Sequence, residues 1–188
     1  MKKDILINIM PTPGKKFAYY RKLTKAQKRI YDASDAITYV KLPQPERFYP
    51  ALEALRKGLE KDDKAKVQDA SRRIVRGLCT VFIVPQIGVK VLAKRPSGSG
   101  GEMHGLYEYD EENDARPTLT VWMRTAQRKQ PVAFKTFLRT IVHEFMHHLD
   151  FTHLKLEDSF HTEGFYKREN NLVKLLVGEG NSIVSRKE

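Results

Sequence analysis

The sequence predicts an α+β fold in which a helical N-terminal region precedes a small antiparallel sheet and two further helices. Apolar residues recur at helical spacing through residues 24–84, and short alternating segments replace that pattern between residues 87 and 124. Helical spacing returns from residue 131 onward. Apolar residues make up 40% of the 188 residues, which is enough to form a core. We place a domain boundary between residues 1–84 and residues 85–188.

Three helices are predicted in the N-terminal region, after an extended leading segment at residues 1–14. Thr24 is a favourable N-cap for the first helix, and Asp62 is one for the third. Pro50 is tolerated in the first turn of the second helix. Pro85 ends the third. These predicted helices span residues 24–40, 46–60 and 62–81.

The middle of the chain predicts three short strands. Residues 87–93 alternate between the two faces of a strand, and a glycine-rich turn follows at residues 95–101. The acidic residues 110–114 suit a hairpin loop between the other two strands. The predicted strands span residues 87–93, 105–110 and 118–124.

Two helices are predicted after the strands. Pro131 suits the first turn of a long helix that reaches Phe151. The last helix runs from Thr162 to Val177, and the glycines at 178 and 180 stop it.

The net charge of +11 comes from the first half of the chain. Residues 1–94 contain 21 Lys and Arg against 9 Asp and Glu, whereas residues 95–188 contain 13 against 14. This asymmetry is typical of a region that meets a polyanion, and solvated helix surfaces are the alternative. Basic residues beside aromatic ones suit contacts to a nucleic-acid backbone and stacking on bases, so non-specific DNA is a candidate partner of the N-terminal half. These residues are Lys15, Lys16, Phe17, Tyr19, Tyr20, Arg21, Lys22, Lys25, Lys28 and Arg29.

The composition excludes several classes of protein. The single cysteine, Cys79, excludes an internal disulfide and a cysteine-based zinc site. No apolar run approaches the roughly 18 residues of a membrane span. The apolar stretch at residues 5–10 is too short for a signal peptide and lacks a cleavage site. We therefore expect a soluble, cytoplasmic protein.

The long helix contains an H-E-x-x-H motif from His143 to His147. Histidines four residues apart lie on one face of a helix, so both imidazoles can reach one zinc ion at about 2.0–2.1 Å. Glu144 can take a proton from a zinc-activated water and deliver it to a leaving amine. The polar stripe on this apolar helix needs buried partners, which a metal would supply. The stripe consists of Thr136, Thr140, His143, His147 and Asp150.

A catalytic zinc site requires a third protein ligand, and the sequence offers several candidates. His153 has metzincin-like spacing, but no methionine follows Met146 to form that family's turn. Glu157 or Glu163 would complete a gluzincin-like site, although the usual Glu-x-x-x-Asp pattern is missing. His161 is favoured, because the loop before it is long enough to bring the last helix back over the metal.

With His161 as the third ligand, the sequence resembles the SprT-like (Spartan-type) zinc metallopeptidases. Their pattern is H-E-x-x-H, a longer loop, and then a histidine followed four residues later by an aromatic residue. The matching residues are His143, Glu144, His147, His161 and Phe165. The resemblance covers residues 85–178 and implies a zincin-like core that hydrolyses peptide bonds, with the three histidines on zinc and Glu144 as general base and acid. It also implies substrates associated with DNA, although this chain lacks a cysteine-rich zinc ribbon. The alternative is a basic nucleic-acid-binding protein whose zinc site is structural or degenerate.

Several residues near the motif have two interpretations each. Asp150 either accepts a hydrogen bond from a ligand imidazole or meets solvent and Lys155. Tyr166 either points its hydroxyl at the reaction intermediate or packs on the active-site helix. His104 and His148 have no spacing relation to the site and are interpreted as surface or packing residues.

The strand before the active-site helix, residues 118–124, is expected to be an exposed edge. A substrate peptide could add to it as an extra strand through backbone hydrogen bonds. The acidic loop at residues 110–114 would then favour basic peptides.

Overall fold

The computed structural model describes residues 16–98, 101–110, 115–126 and 130–178. This part of the chain contains five α-helices, a three-stranded mixed sheet and a separate two-stranded antiparallel sheet, which confirms the predicted α+β class. The helices are α1 (Lys25–Ala36), α2 (Tyr49–Glu60), α3 (Lys64–Phe82), α4 (Phe134–Thr152) and α5 (Glu163–Val177). The strands are β1 (Gly88–Lys94), β2 (Ser97–Gly98), β3 (Gly101–Glu102), β4 (Gly105–Asp110) and β5 (Ala115–Arg124).

Short 3₁₀ helices precede α1 and α2, at Ala18–Lys22 and Pro45–Phe48. The leading segment predicted at residues 1–14 lies outside the described residues, as do residues 111–114 of the predicted acidic loop. None of the described helices is both long enough and apolar enough to cross a membrane.

The N-terminal helices begin at capping residues. Thr24 forms a capping box with Gln27, in which each side chain accepts a hydrogen bond from the other residue's backbone N–H. Asp63, and not the predicted Asp62, caps α3 by accepting the Lys66 N–H at 3.1 Å. Helix α1 ends at Ala36, four residues before the predicted end.

The ends of α4 and α5 are also determined locally. Helix α4 begins at Phe134, because Pro131 belongs to a β-bridge with Arg124 and not to the first helical turn. Thr162 caps α5 by accepting the Phe165 N–H at 2.9 Å. Gly178 follows α5 with φ +80°, the left-handed conformation that glycine adopts at helix C-termini.

The sheet has the strand order β1-β5-β4, which corrects two predictions. Strand β5 pairs in parallel with β1 and antiparallel with β4, so the sheet is mixed and not purely antiparallel. Strand β5, which contains residues 118–124, is the central strand and not the exposed edge. Residues on both of its faces are buried, so the protein covers both faces of the sheet at this strand. The buried residues of β5 are Leu119, Thr120, Val121, Trp122 and Met123.

The helices cover the sheet around one apolar core. Helix α3 packs on β1, α4 packs on β4 and β5, and α5 packs on α4. Fully buried members of this core come from all of these layers. Examples are Leu55, Ile74, Val121, Ile141 and Leu172. Residues on both sides of position 84 contribute to this core, while the division of the chain at that position stays a prediction.

Helix α1 contacts the beginning of α5 through polar bonds. The Gly164 N–H donates to Oδ1 of Asp35 at 2.9 Å, and a Cβ at residue 164 would lie 2.3 Å from the Asp35 carbonyl oxygen. Nη1 of Arg168 donates to the carbonyls of Ser34 and Ile37, each at 2.6 Å. The N-terminal region therefore fixes the position of α5, which follows His161.

Candidate metal centre

Three histidines from two parts of the chain converge at one point. His143 and His147 lie one turn apart on α4, and His161 lies just before α5. Nε2 of His161 is 3.0 Å from Nε2 of His143 and 3.1 Å from Nε2 of His147. One ligand atom from each residue lies within 4.8 Å of the others, which is close enough to hold one metal ion.

Glu169 determines the tautomer of His143. Its Oε2 lies 2.8 Å from Nδ1 of His143, and the carboxylate is only 4% exposed. An ionised carboxylate can only accept, so Nδ1 carries the proton and Nε2 presents its lone pair to the metal position.

A chain of hydrogen bonds through Ser159 determines the tautomer of His147. Ser159 Oγ lies 2.7 Å from Nδ1 of His147 and donates its own proton to Oδ2 of Asp150 at 2.7 Å. Because that hydroxyl proton is used, Nδ1 of His147 is the donor and Nε2 is again free to bind metal. Arg168 extends this chain of hydrogen bonds by donating to Oδ1 of Asp150 at 2.8 Å.

These tautomers direct hydrogen-bond acceptors toward the centre of the cluster, an arrangement that suits a cation. Two Nε2 lone pairs face His161, whose single Nε2 can donate one proton to one of them at most. Burial, with the nearby charges of His143 and His161, lowers the pKa of His147 to about 3, and burial also lowers the pKa of His161. Both imidazoles are therefore neutral near pH 7, as metal binding requires.

Phe165 packs beneath the three imidazoles. Its ring centroid lies 5.1 Å from that of His143, 5.0 Å from that of His147 and 5.1 Å from that of His161. The side chain is fully buried. This contact gives a physical reason for an aromatic residue four positions after the third histidine, because one rigid ring restricts the orientation of all three.

Glu144 faces β4 at the edge of the cluster. It accepts a hydrogen bond from the Tyr107 backbone N–H, and its carboxylate lies close against Gly105. Burial raises the pKa of Glu144 to about 7; His143 and the Tyr107 N–H oppose this rise, and Glu169 adds to it. A carboxyl group with a pKa near 7 can both accept and return a proton at neutral pH.

The N-terminal segment anchors His161. The Tyr19 hydroxyl donates to the His161 carbonyl at 2.8 Å, and the Tyr19 ring contacts Tyr31 at 5.8 Å between centroids. Burial raises the pKa of Tyr19 to about 12, so its hydroxyl remains a donor. A residue far from the motif thus holds the loop that contains the third histidine.

The histidines lie in an open cleft of about 680 Å³. Helix α4 forms its floor from Thr136 to Phe151, and one wall is β4 with His104. The opposite wall contains Ser159, His161 and Tyr166. Tyr107 donates its backbone N–H to Glu144, so the unpaired edge of β4 faces the cleft.

The other proposed third ligands lie elsewhere. The ring of His153 packs against Phe82 at 5.9 Å and hydrogen-bonds to the Phe82 backbone. Glu163 pairs with Lys167 at 2.7 Å. In the described part of the chain, neither acid, Glu157 or Glu163, belongs to the histidine cluster.

Asp150 and Tyr166, for which the sequence allowed two interpretations each, have defined positions in the structure. Asp150 is fully buried and reaches His147 through Ser159, so it meets neither solvent nor Lys155. Tyr166 is 38% exposed, lines the cleft and stacks on His161.

The two histidines without a spacing relation differ from each other. His148 is a packing residue: its Nε2 donates to the Pro85 carbonyl at 2.9 Å, which leaves Nδ1 to accept from the Tyr107 hydroxyl at 3.0 Å. His104 is exposed and lines the cleft, a position that its spacing did not indicate.

The sequence interpretation missed five residues of this site, one of which is Arg168, the donor to Asp150. Glu169 follows Phe165 by four residues on α5, a spacing that places both on one side of the helix and could have identified Glu169. Ser159, Gly105 and Tyr19 had no comparable signal, because a loop, a strand and a distant segment bring them to the site.

The basic and aromatic residues near residue 20 make contacts within the protein. Nζ of Lys16 pairs with Asp32 at 2.7 Å and with Asp35 at 3.0 Å. The Tyr20 hydroxyl donates to Asp32 at 3.0 Å, while Phe17 stays 40% exposed. The proposed stacking of these rings on bases stays a prediction.

Comparison of the chain with protein-family models, with curated proteins and with solved structures gives no match.

Proposed function

We propose that this protein is a zinc-dependent metallopeptidase of the SprT-like kind, in which His143, His147 and His161 hold zinc. The observation that supports this proposal is the convergence of three Nε2 atoms at 3.0 and 3.1 Å beside a buried carboxyl group. Three histidines suit zinc and leave a fourth coordination position open. Zinc, when bound, supplies a Lewis acid that activates water and polarises a carbonyl group.

The residues of the chain would then have separate tasks. Glu169 and Ser159 hold the two α4 imidazoles in the tautomer that presents Nε2. Glu144 accepts a proton from the attacking water and returns it to the leaving amine. Its elevated pKa, about 7, suits both steps.

The unpaired edge of β4 is the candidate binding site for the substrate backbone. This edge replaces the one first expected on β5, and it runs along the cleft beside Glu144. A peptide added as a further strand would form backbone hydrogen bonds that do not depend on its sequence.

Metal analysis and hydrolysis assays test this proposal together. We expect the purified wild type to bind one zinc ion and His161→Ala to lose it, while His153→Ala keeps it as the matched control. Glu144→Gln should retain zinc and lose hydrolysis of an unstructured protein such as casein. Undiminished hydrolysis by Glu144→Gln, or zinc retained by His161→Ala, would contradict the proposal.

Binding of a nucleic-acid backbone is a second candidate function, and a specific surface favours it. A cleft at the opposite edge of the sheet, beside β1, is lined by four cations. They are Arg72, Arg76, Lys90 and Arg116. Arg76 also lines a neighbouring cleft with Arg47 and Arg73. Within the described part of the chain, Arg73 is the only one of these arginines that pairs with a carboxylate, that of Asp69 at 2.9 Å.

Salt-dependent DNA binding tests the second candidate. We expect the full chain to bind a random duplex at low salt, and the Arg72→Gln, Arg76→Gln, Arg116→Gln triple variant to bind it more weakly. Each lost phosphate contact should reduce the slope of log affinity against log salt by about 0.9. Triple substitution of Lys57, Lys61 and Lys64 by Gln, exposed residues that line neither cleft, is the matched control. Equal slopes for the arginine variant and the wild type would exclude this surface.

A further inference from the structure

A second pocket that is lined by cations adjoins the candidate metal cleft. Thr136 and Arg139 line both cavities, so the two are neighbours. We call the second cavity the cationic pocket; its lining residues are Lys135, Thr136, Arg139, Val173, Lys174 and Val177. None of these described lining residues is acidic.

Arg139 is oriented by its neighbours at the junction of the two cavities. Its Nη1 donates to Oε1 of Glu169 at 2.8 Å and to Oδ1 of Asn170 at 2.5 Å. The hydrogen bonds recorded in the described part of the chain use Nη1 alone, and the side chain is 49% exposed. A guanidinium has five N–H donors in a planar fork, so Arg139 retains donors that suit a carboxylate.

The position of Arg139 relates it to a bound peptide. Arg139 precedes His143 by four residues on α4, which is about 6 Å along the helix axis. An extended peptide advances about 3.3 Å per residue. A peptide in the cleft would therefore reach Arg139 about two residues from the bond beside the metal position, with Lys135 one turn further along.

Charge distinguishes this end of the cleft from the other. The buried Glu169 carboxylate pairs with Arg139 at 2.8 Å and offsets one positive charge. Lys135 and Lys174 add further positive charge around the pocket. The opposite end of the cleft has Phe151 and Asp158 instead, so only the Arg139 end favours an anion.

From this juxtaposition we propose that the cationic pocket binds a carboxylate of the substrate, about two residues from the scissile bond. The inference rests on the proposed peptidase function and specifies its substrate class. The carboxylate belongs either to an Asp or Glu side chain or to the C-terminus of the substrate, and both sources use the same guanidinium and ammonium donors.

Peptide binding to the zinc-loaded Glu144→Gln full chain tests the proposal without requiring hydrolysis. The probes are short, blocked, otherwise neutral peptides with a neutral fluorophore and one central Glu, Gln or Lys. We expect the Glu peptide to bind roughly tenfold more tightly than the Gln peptide, as charge-assisted hydrogen bonds imply. The Lys peptide should bind more weakly than either.

Charge reversal at the pocket separates this site from the overall positive charge of the protein. In the Glu144→Gln background, Lys135→Glu with Lys174→Glu should abolish or invert the preference for Glu. Lys25→Glu with Lys64→Glu changes the net charge equally at residues that do not line either cavity, and it should keep the preference. If the reversed variant misfolds, Lys135→Gln with Lys174→Gln gives the same test by neutralisation.

Three results would overturn the proposal: equal binding of the Glu peptide, the Gln peptide and the Gln peptide with a free C-terminus, a carboxylate preference that persists after charge reversal, or no binding of any peptide. A Gln peptide with a free C-terminus identifies the source of the carboxylate. If this peptide binds more tightly than the blocked Gln peptide and the Glu peptide does not, the pocket binds chain termini. Failure of the wild type to hydrolyse peptides would contradict the peptidase proposal and leave this binding comparison interpretable.

Discussion

Gly105 lies directly against Glu144. A Cβ atom at residue 105 would come within 2.3 Å of Oε1 and 2.8 Å of the carboxyl carbon of Glu144. Non-bonded atoms do not approach so closely, so the absence of a side chain at residue 105 is what allows β4 to pass beside this carboxyl group.

Substitution of this glycine should affect hydrolysis more than metal binding. In Gly105→Ala the methyl group must displace the Glu144 side chain, and we expect kcat to fall by at least about tenfold, as lost general-base positioning implies. Zinc content should be unchanged. Gly88→Ala, in β1 of the same sheet, is the control, since its Cβ would lie 3.1 Å from the nearest atom, Oγ1 of Thr118. Equal kcat in the two variants would refute this role of Gly105.

Glu169 should determine the affinity for zinc through His143. In Glu169→Gln the acceptor of the Nδ1 proton becomes neutral, and we expect zinc to bind about 10- to 100-fold more weakly. Competition with a chelator of known affinity measures this change. Glu163→Gln, on the same helix but paired with Lys167, should match the wild type. An unchanged affinity in Glu169→Gln would show that His143 does not depend on this carboxylate.

Tyr19 should influence the metal centre although it lies in the N-terminal region. Tyr19→Phe removes the hydrogen bond to the His161 carbonyl, worth about 0.5–1.5 kcal/mol, so zinc affinity should fall by up to roughly tenfold. Tyr20→Phe loses a hydrogen bond to Asp32 instead and should bind zinc as the wild type does. If both variants bind zinc equally well, Tyr19 does not position His161.

His148 should make stability depend on pH. Burial lowers its pKa, so the folded protein holds a neutral imidazole where the unfolded chain, with a pKa near 6.5, takes up a proton. This contribution to stability is present above about pH 6.5 and is lost as the pH falls below it. Each such group adds about 1.4 kcal/mol per pH unit to the slope of the unfolding free energy.

His148→Gln can retain the donor to Pro85 and the acceptor for Tyr107 while losing the titration. Urea unfolding of both proteins between pH 5 and pH 7, with a chelator present, should show the smaller slope in the variant. Identical slopes would mean that His148 is not held neutral.

Local features of the chain were readable from the sequence, because they depend on neighbouring residues. The helical spacing of His143 and His147, the Thr24 cap and the glycine after α5 are all set within one or two turns. Helix α4 begins later than predicted because of a contact outside the helix. Pro131 pairs with Arg124, a contact that the propensity of proline for first turns does not reveal.

The order of the strands could not be read in the same way. The parallel pairing of β1 with β5 joins segments that are separated by β4, so no local pattern encodes it. Whether a strand is central depends on which strands pair with its two edges, and the side-chain pattern of a single strand does not encode that pairing.

The buried guanidinium of Arg168 links the metal centre to α1. Its bonds to the Ser34 and Ile37 carbonyls and to Asp150 continue through Ser159 to His147. Metal binding is therefore thermodynamically coupled to the formation of the last turn of α1. Zinc should slow amide hydrogen exchange in that turn, and partial unfolding of α1 should release the ion.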